Sequence, residues 1–595
     1  MKLEAQAAEN PRQELPSRAS LLLFQVKASV LRLRRTVKNA CHPIPTFSKA
    51  EVGEYGCLVA EAKSRLYAAD QPEEKILEFG KVQNLRIAAQ SLNGLVLGAG
   101  TEFSFWRTVG KCTRRRGYVE GRQLQEGCLM PAVGGGICQL SNALYDVAVQ
   151  AGAEIVERHA HSRIIPGSAA ERNRDATVAW NYIDLRFNLP VDCRLSVALS
   201  KDSLSVQLHA GQPIQPIVKE SKRIPLRTLI DPVAHSCGLC GQTDCHLHDA
   251  FRGQVSASTA FIVDEISPEF EAYIASRRTA SDTLLLPIDG KRWNLSRYGW
   301  STNSYSQVGS APIQTIVRSI RSRKLAAQGA ERQLAMIADA RVLATALAKQ
   351  IPHTAEHVVV AQTLLPFLWD LGVLGGRTFD VLMTRLPLAE IHTQLDQASR
   401  HHPDSPTLSD FRAPDSLITS ETRALRAAQR LISPHSFIAC NDPRKLLLTW
   451  EPGVNQSWTK GDRIVFPGPT LGRKGAYEVR EAALALDLEV VLLGADLEGT
   501  HFWVGVKTRR MMPGEAWLEG VLAVVQPATI EDKPRRLLSA IASGCPVICS
   551  LQCGLAEYPN VIHVQPNDAS AIIQALKKLQ GNDLSGASAL QSSER

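Results

Sequence analysis

The sequence predicts a multidomain chain: an α+β domain followed by two doubly wound α/β domains with Rossmann-like sheets. Three observations carry that expectation. Between residues 75 and 220, short apolar runs punctuated by glycine surround helical stretches, the mixture expected of an α+β layer fold. From about residue 255 the rhythm changes to short apolar runs alternating with helices, the pattern of parallel βα units. The length of 595 residues suits three to four domains of ordinary size.

The elements follow in order. Residues 1–18 are polar, contain two prolines, and are expected to be disordered. Residues 19–220 form the α+β domain. It opens with an amphipathic helix over 20–33, whose Arg32, Arg34 and Arg35 sit where the helix dipole favours cations. Apolar spacing predicts a helix over 74–90, then short strands in LNGLVLGAG, FSFWRTVG and YVEGRQLQEGCL. QLSNALYDVAVQAG is a buried helix ending at Gly152, and TVAWNYIDLRFNL, CRLSVALS and SLSVQLHAG alternate as strands. Residues 235–250 form a Cys/His knot and linker. Two α/β halves follow, 255–433 and 434–580, and a Ser/Gly-rich tail at 581–595 is expected to be disordered.

Composition narrows the function classes. The net charge of +8 is mild for this size and suits anionic small substrates such as nucleotide sugars. No basic stripe with interleaved aromatics is present, which argues against nucleic acid. No run is long and apolar enough for a membrane span, so at most peripheral membrane contact is expected. Thirteen scattered cysteines argue against a disulfide framework and for a reducing compartment. With no signal-peptide pattern at 20–33, the expected location is cytoplasmic.

The densest chemical signal is Gly134-Gly135-Gly136-Ile137-Cys138-Gln139-Leu140-Ser141-Asn142. A glycine run permits positive φ and close backbone approach, and a cysteine at the following helix N-terminus has its thiolate favoured by the dipole. His159 and His161 are candidate bases, and Asp175 is a candidate to orient an imidazole. The alternative is a Gly-rich turn beside a small, inert, buried cysteine.

Five motifs resemble the VanW family: FSFWRTVGK at 103–111, RRGYVEGRQL at 115–124, GGGICQLSNALY at 134–145, ERHAHS at 157–162 and RDATVAWNYIDLRF at 174–187. KVQNLRIA at 81–88 resembles the family's upstream helix. Some extracellular members of that family are cysteine L,D-transpeptidases acting on peptidoglycan stem peptides. The resemblance implies Cys138 as nucleophile, with His161 first and His159 second as base; Asp175 as orienter comes from geometry, not from the family. Attack by the thiolate on a peptide carbonyl would give a thioester, with the oxyanion met by backbone N–H groups around Gly136–Gln139.

The Cys/His knot holds Cys237, Cys240 and Cys245, with His248 as a candidate fourth ligand. This spacing fits a structural zinc, an iron–sulfur cluster with an outside ligand, or three reduced thiols in a loop.

The last 150 residues carry a third signal. PGPTLGRKGAYEVREAA at 467–483 sets Gly472, Arg473 and Lys474 between a strand and a helix, a place suited to a diphosphate or to a solvated basic turn. VVQPATIEDKPRRLLSAIASGCPVICS at 524–550 follows with Glu531 in its turn. These segments resemble the C-terminal half of GT-B glycosyltransferases of the group 1 family. LLGADLE at 492–498 and DPRKLL at 442–447 fit the same frame, and SETRALRAAQRLISPHS at 420–436 resembles the segment joining the halves. The resemblance implies that Arg473 and Lys474 hold phosphate and that Glu531 meets the donor sugar. Where the family has a ribose-binding glutamate, this chain has Ser539. Asp264, Glu265 and His357 are strand-end candidates for the acceptor side.

The combined expectation is a VanW-like protein with a GT-B glycosyltransferase module. It would transfer sugar from a nucleotide-sugar donor to a glycan or peptidoglycan-like precursor. Two alternatives stand beside it: a Cys138 acyltransferase on a degenerate GT-B scaffold, and a non-catalytic glycan- or peptide-binding protein.

Overall fold

The computed structural model describes residues 18–41, 45–50, 53–67, 74–125, 128–213, 228–229, 258–325, 329–511, 516–555 and 558–581. The chain divides into two compact units: Met1–Ser258 with Pro352–Glu356 and Gly372–Arg377, and Thr259–Ile351 with His357–Leu371 and Thr378–Arg595. No described helix is long and apolar enough to cross a membrane.

The first unit is built on an antiparallel four-stranded sheet in the order Cys57–Arg65, Ser203–Ala210, Cys193–Leu199, Val96–Leu97. Strict alternation sends Leu204, Val206, Leu208 and Ala210 to one face, where they are buried. The helices Lys75–Leu92 and Cys138–Gln150 contribute Leu85, Leu92, Leu140 and Leu144 to the same core, with Phe103, Phe105 and Phe187 beside them. The Lys75–Leu92 helix presents Leu77, Val82, Leu85, Ala88, Ala89 and Leu92 at helical spacing, then stops before Gly94, whose φ is +88°.

Two predicted strands of this unit fold otherwise. FSFWRTVG is a strand only over Glu102–Ser104, followed by the short helix Phe105–Val109. Ser104 switches the chain, because its hydroxyl accepts from Arg107 N and caps the helix. In TVAWNYIDLRFNL only Arg186–Asn188 is a strand. The preceding backbone bonds elsewhere: Thr177 N donates to His159 O at 2.7 Å and Ala179 N to Ile183 O at 2.9 Å, a local bridge and not a ladder. The Trp180–Asn181 peptide in this stretch is cis.

The second unit contains two sheets. The first runs Gln307–Ser310, Thr283–Leu286, Ser258–Ile262, Ala355–Ala361, Thr378–Leu382, Arg430–Ser433, Lys445–Leu447. The second runs Thr508–Arg510, Val490–Leu492, Arg463–Phe466, Val521–Gln526, Val547–Cys549, Val561–His563. Every pair in the second sheet is parallel. Numbered along the chain, the second sheet and the first six strands of the first follow the order 3-2-1-4-5-6 of a doubly wound fold. The inner strands are largely apolar because both faces are covered, and all six residues of Val521–Gln526 are buried, whereas the edge strands Gln307–Ser310 and Thr508–Arg510 are polar and mostly exposed. The expected boundary at 433/434 moves: Lys445–Leu447, read from sequence as part of the last domain, pairs in parallel with Arg430–Ser433 as a seventh strand of the first sheet.

Candidate functional sites

The triple-glycine loop is shaped by contacts that exclude side chains. Gly134 and Gly136 have φ of +84° and +87°. A Cβ on Gly135 would stand 2.1 Å from Gly121 O, and one on Gly136 would stand 2.1 Å from Lys81 Cγ. Asn84 on the neighbouring helix fixes the loop, donating from Nδ2 to Gly135 O at 2.9 Å and Val119 O at 3.0 Å and accepting from Val119 N at 2.9 Å. KVQNLRIA, RRGYVEGRQL and GGGICQLSNALY therefore meet as one support beneath the helix that begins at Cys138.

Cys138 is part-buried, and its thiol faces Val178 O at 3.8 Å. His161 lies beside the Cys138 side chain and bonds Asp175 Oδ2 through Nδ1 at 2.9 Å. The same carboxylate oxygen takes His161 N at 2.7 Å, which ties ring and backbone to one acceptor. Asp175 is fully buried. Its second oxygen is held by Arg158 at 2.8 Å, and Arg158 also reaches Asn173 Oδ1 at 2.9 Å and lies over the Tyr145 ring. Arg158 was not singled out from sequence; its place inside ERHAHS, three residues before His161, was the available signal.

Burial alone would lower the His161 pKa. The hydrogen bond to Asp175, then the neighbouring Cys138 and the charge of Asp175, outweigh it and raise the imidazole to about 9.

The other histidine takes no part in this chain of bonds. His159 is exposed, with Nε2 3.5 Å from Glu157, and its carbonyl accepts Thr177 N at 2.7 Å. The expected amide set also shrinks, because Gln139 N donates to Gly136 O at 3.1 Å.

In the second unit, the loops after Arg463–Phe466 and Val521–Gln526 leave adjacent strands at the point where the strand order reverses, the usual crevice of doubly wound sheets. Thr529 N and Ile530 N both donate to Arg473 O, at 2.9 and 3.2 Å, and pin the two loops together. Lys474 Nζ lies 2.8 Å from Glu531, and both side chains are largely buried. Gln526 and Lys533 N also bond the Glu531 carboxylate. Burial would raise that carboxyl, and the charge and hydrogen bond of Lys474 overcome it and hold the pKa below the usual range.

The remaining donor-side candidates are differently placed. The Arg473 guanidinium is buried over the Phe411 ring. Gly472 N donates to Glu498 Oε1 at 2.6 Å, and Glu498 also binds Ser405, Thr407 and Tyr477. Ser539 lies on the helix Arg535–Ala542, and its hydroxyl donates back to Arg535 O at 3.1 Å. Sequence reading missed His435, which is buried against the Glu531 turn. It donates from Nε2 to Glu531 O at 2.9 Å and accepts Ile438 N at Nδ1, and burial lowers its pKa to about 4, so the neutral ring holds that backbone.

Two acceptor-side candidates stand after a strand end and one does not. Asp264 and Glu265 follow Ser258–Ile262; Asp264 is paired with Arg318 at 2.7 Å, and Glu265 with Arg297 and Lys533. His357 stands near the opposite, N-terminal end of its strand and bonds Thr378 at 2.8 Å. Cys237, Cys240, Cys245 and His248 lie outside the described residues. Among the described residues no group of three or more His, Cys, Asp or Glu converges as a metal site.

Residues 80–209 match the family model described as VanW like protein. The chain is 32% identical over 169 residues to the vancomycin B-type resistance protein VanW of Enterococcus faecalis, covering 27% of this chain and 61% of that protein. It is 31% identical over 146 residues to the uncharacterized protein YoaR of Bacillus subtilis, covering 24% of this chain and 48% of that one. The chain thus spans about half to three fifths of the length of these relatives. Among solved structures, the lipopolysaccharide outer core galactosyltransferase WaaB is 10% identical with a TM-score of 0.31, over 54% of this chain and 90% of that one.

Proposed function

We propose that the second unit is a nucleotide-sugar-dependent glycosyltransferase module serving cell-envelope or glycan metabolism, in a chain whose first unit is VanW-like. The observation that carries this reading is the Lys474–Glu531 pair, 2.8 Å apart at the switch point of a doubly wound sheet. A diphosphate entering the crevice competes with Glu531 for Lys474. The released carboxylate then accepts from sugar hydroxyls, while His435 keeps the Glu531 backbone in place. Arg473 adds positive charge from beneath, and Ser539 is the candidate ribose partner; both must leave their present bonds to reach a ligand. The acceptor would be a glycan or a peptidoglycan-like precursor. The test is calorimetric titration of the full chain with UDP and UDP-sugars, followed by donor hydrolysis assays. Binding that disappears in Lys474→Met, with turnover lost in Glu531→Gln, supports the reading. Absence of binding by any nucleotide diphosphate sugar overturns it.

A second reading concerns the first unit and rests on a separate observation, the linked side chains of Cys138, His161 and Asp175. We infer a thiol site for acyl transfer on a peptide-bearing wall component. The Cys138 sulfur attacks a carbonyl carbon, His161 carries the proton to the leaving amine, and Asp175 with Arg158 holds the imidazole. The Ile137 and Cys138 amides at the helix start are the candidates to meet the oxyanion. Mass spectrometry after brief iodoacetamide treatment at pH 7 tests it: Cys138 should be labelled at least tenfold faster than exposed Cys41 or Cys440. Equal labelling removes the nucleophile assignment without touching the glycosyltransferase reading.

A further inference from the structure

The helix Arg18–Cys41 is docked on the first unit by one narrow face and leaves an apolar stripe on the opposite face. On the docked face Ala28 is 3% exposed, Arg32 Nε donates to Trp180 O at 2.8 Å, Arg35 forms a two-pronged pair with Glu157 at 2.7 and 2.6 Å, and Asn39 accepts from Arg186 at 2.8 Å. At about 100° per residue these four positions span a sector of roughly 60°. Leu23, Val26, Val30, Leu33 and Val37 fall in a sector of about 80° centred on the far side of the helix. Their exposures are 56%, 55%, 63%, 68% and 58%. A water-facing row of five aliphatic side chains over four turns is more than scattered surface hydrophobes.

Charge indicates what covers the row. The helix carries six basic residues, Arg18, Lys27, Arg32, Arg34, Arg35 and Lys38, and no acidic one. Lys27, Arg34 and Lys38 are exposed and line one edge of the apolar stripe, while the other edge holds uncharged Gln25, Ser29 and Thr36. An apolar stripe with a cationic border and no carboxylate is the chemistry of a helix lying in the plane of an anionic lipid surface. A second copy of the chain would bring six further cations with no helix carboxylate to meet them. The helix is too interrupted by charge to span a bilayer.

We propose that the helix Arg18–Cys41 is a surface anchor that seats the first unit on anionic membrane lipid. Val30 and Leu33 enter the acyl boundary and Lys27, Arg34 and Lys38 meet headgroup phosphates. The proposal is independent of either catalytic reading.

Sedimentation of the full chain with vesicles tests it. The chain should pellet with phosphatidylcholine vesicles containing 30% phosphatidylglycerol and stay in solution with pure phosphatidylcholine, with the bound fraction falling as salt rises. Val30→Asp with Leu33→Asp should abolish pelleting, and Lys27→Gln with Arg34→Gln should weaken it at least tenfold. All four side chains are exposed, so an unchanged melting temperature checks that each variant folds. The second unit supplies a control. Its helix Pro312–Lys324 exposes Ile313, Ile316, Val317 and Ile320. If Ile316→Asp with Ile320→Asp abolishes binding and Val30→Asp with Leu33→Asp does not, the assignment is overturned. It also fails if the chain ignores anionic vesicles, or if the Val30/Leu33 variant only dissociates a dimer seen by sedimentation velocity.

Discussion

Asp175 Oδ2 accepts both the backbone N–H and the ring Nδ1–H of His161, at 2.7 and 2.9 Å, so one buried oxygen fixes the position and the orientation of the imidazole. Everything proposed for Cys138 depends on that arrangement, and it yields the first prediction. His161 should titrate near 9 by NMR in the intact protein and fall by more than one unit in Asp175→Asn. The folded value lies above the unfolded value of about 6.5, so the stabilisation is complete below pH 6.5 and is lost as pH rises through 9. Thermal melts at pH 6.5 and 9.5 check the sign: the wild type should lose more stability across that interval than His161→Gln.

Arg158 should act as a positioning residue. Arg158→Ala takes the guanidinium away from the buried Asp175 carboxylate, a change expected to cost about 3 kcal/mol in denaturant unfolding. Arg158→Lys should recover part of the stability but not the second bond to Asn173, and with it only part of the Cys138 alkylation rate. Equal alkylation rates in wild type and Arg158→Ala would show that the clamp does not govern the imidazole.

Gly136→Ala should disable the loop for two separable reasons. The residue has φ of +87°, and the added Cβ would overlap Lys81 Cγ. The backbone term is about 1–2 kcal/mol. Adding Lys81→Ala removes Cγ and Cδ but keeps Cβ at 2.8 Å, so it relieves part of the overlap and leaves the backbone strain; the double variant should be more stable than Gly136→Ala and less stable than Lys81→Ala. Calorimetric melting of the three proteins checks the order.

Lys474 and Glu531 should couple strongly. Either Lys474→Met or Glu531→Gln leaves a largely buried charge unpaired and should cost about 3–5 kcal/mol, whereas the double variant should lose less than the larger single loss. Because the Glu531 pKa is depressed in the folded protein, its contribution is present above pH 4.5 and disappears as pH falls through the lower folded value. An additive double variant would show that the two side chains are not held as the pair seen here.

Local pattern was enough to indicate much of this. Continuous burial along Val521–Gln526 matches an apolar run in the sequence, and parallel doubly wound sheets were expected from strand–helix alternation. It failed where local bonds divert the chain from a ladder. Ser104 ends a predicted strand by capping a helix, and Ala179 N turns back to Ile183 O within the predicted strand 177–189. The domain limit at 433 was misjudged because three residues, Lys445–Leu447, carry too little periodicity to reveal which sheet they join.

By itself the sequence determined which residues had chemistry to offer: a cysteine after three glycines, two histidines, and a basic loop ahead of an acidic turn. Tertiary structure decided which of them meet. His161 reaches Asp175 while His159, two residues earlier, faces Glu157; a continued strand would have sent both to one side, so the chain's departure from extended structure after Glu154–Glu157 is what separates them. Lys474 finds Glu531 across 57 positions of sequence because two loops leave neighbouring parallel strands at one edge of a sheet. Those pairings arise from long-range packing, and spacing along the chain does not encode them.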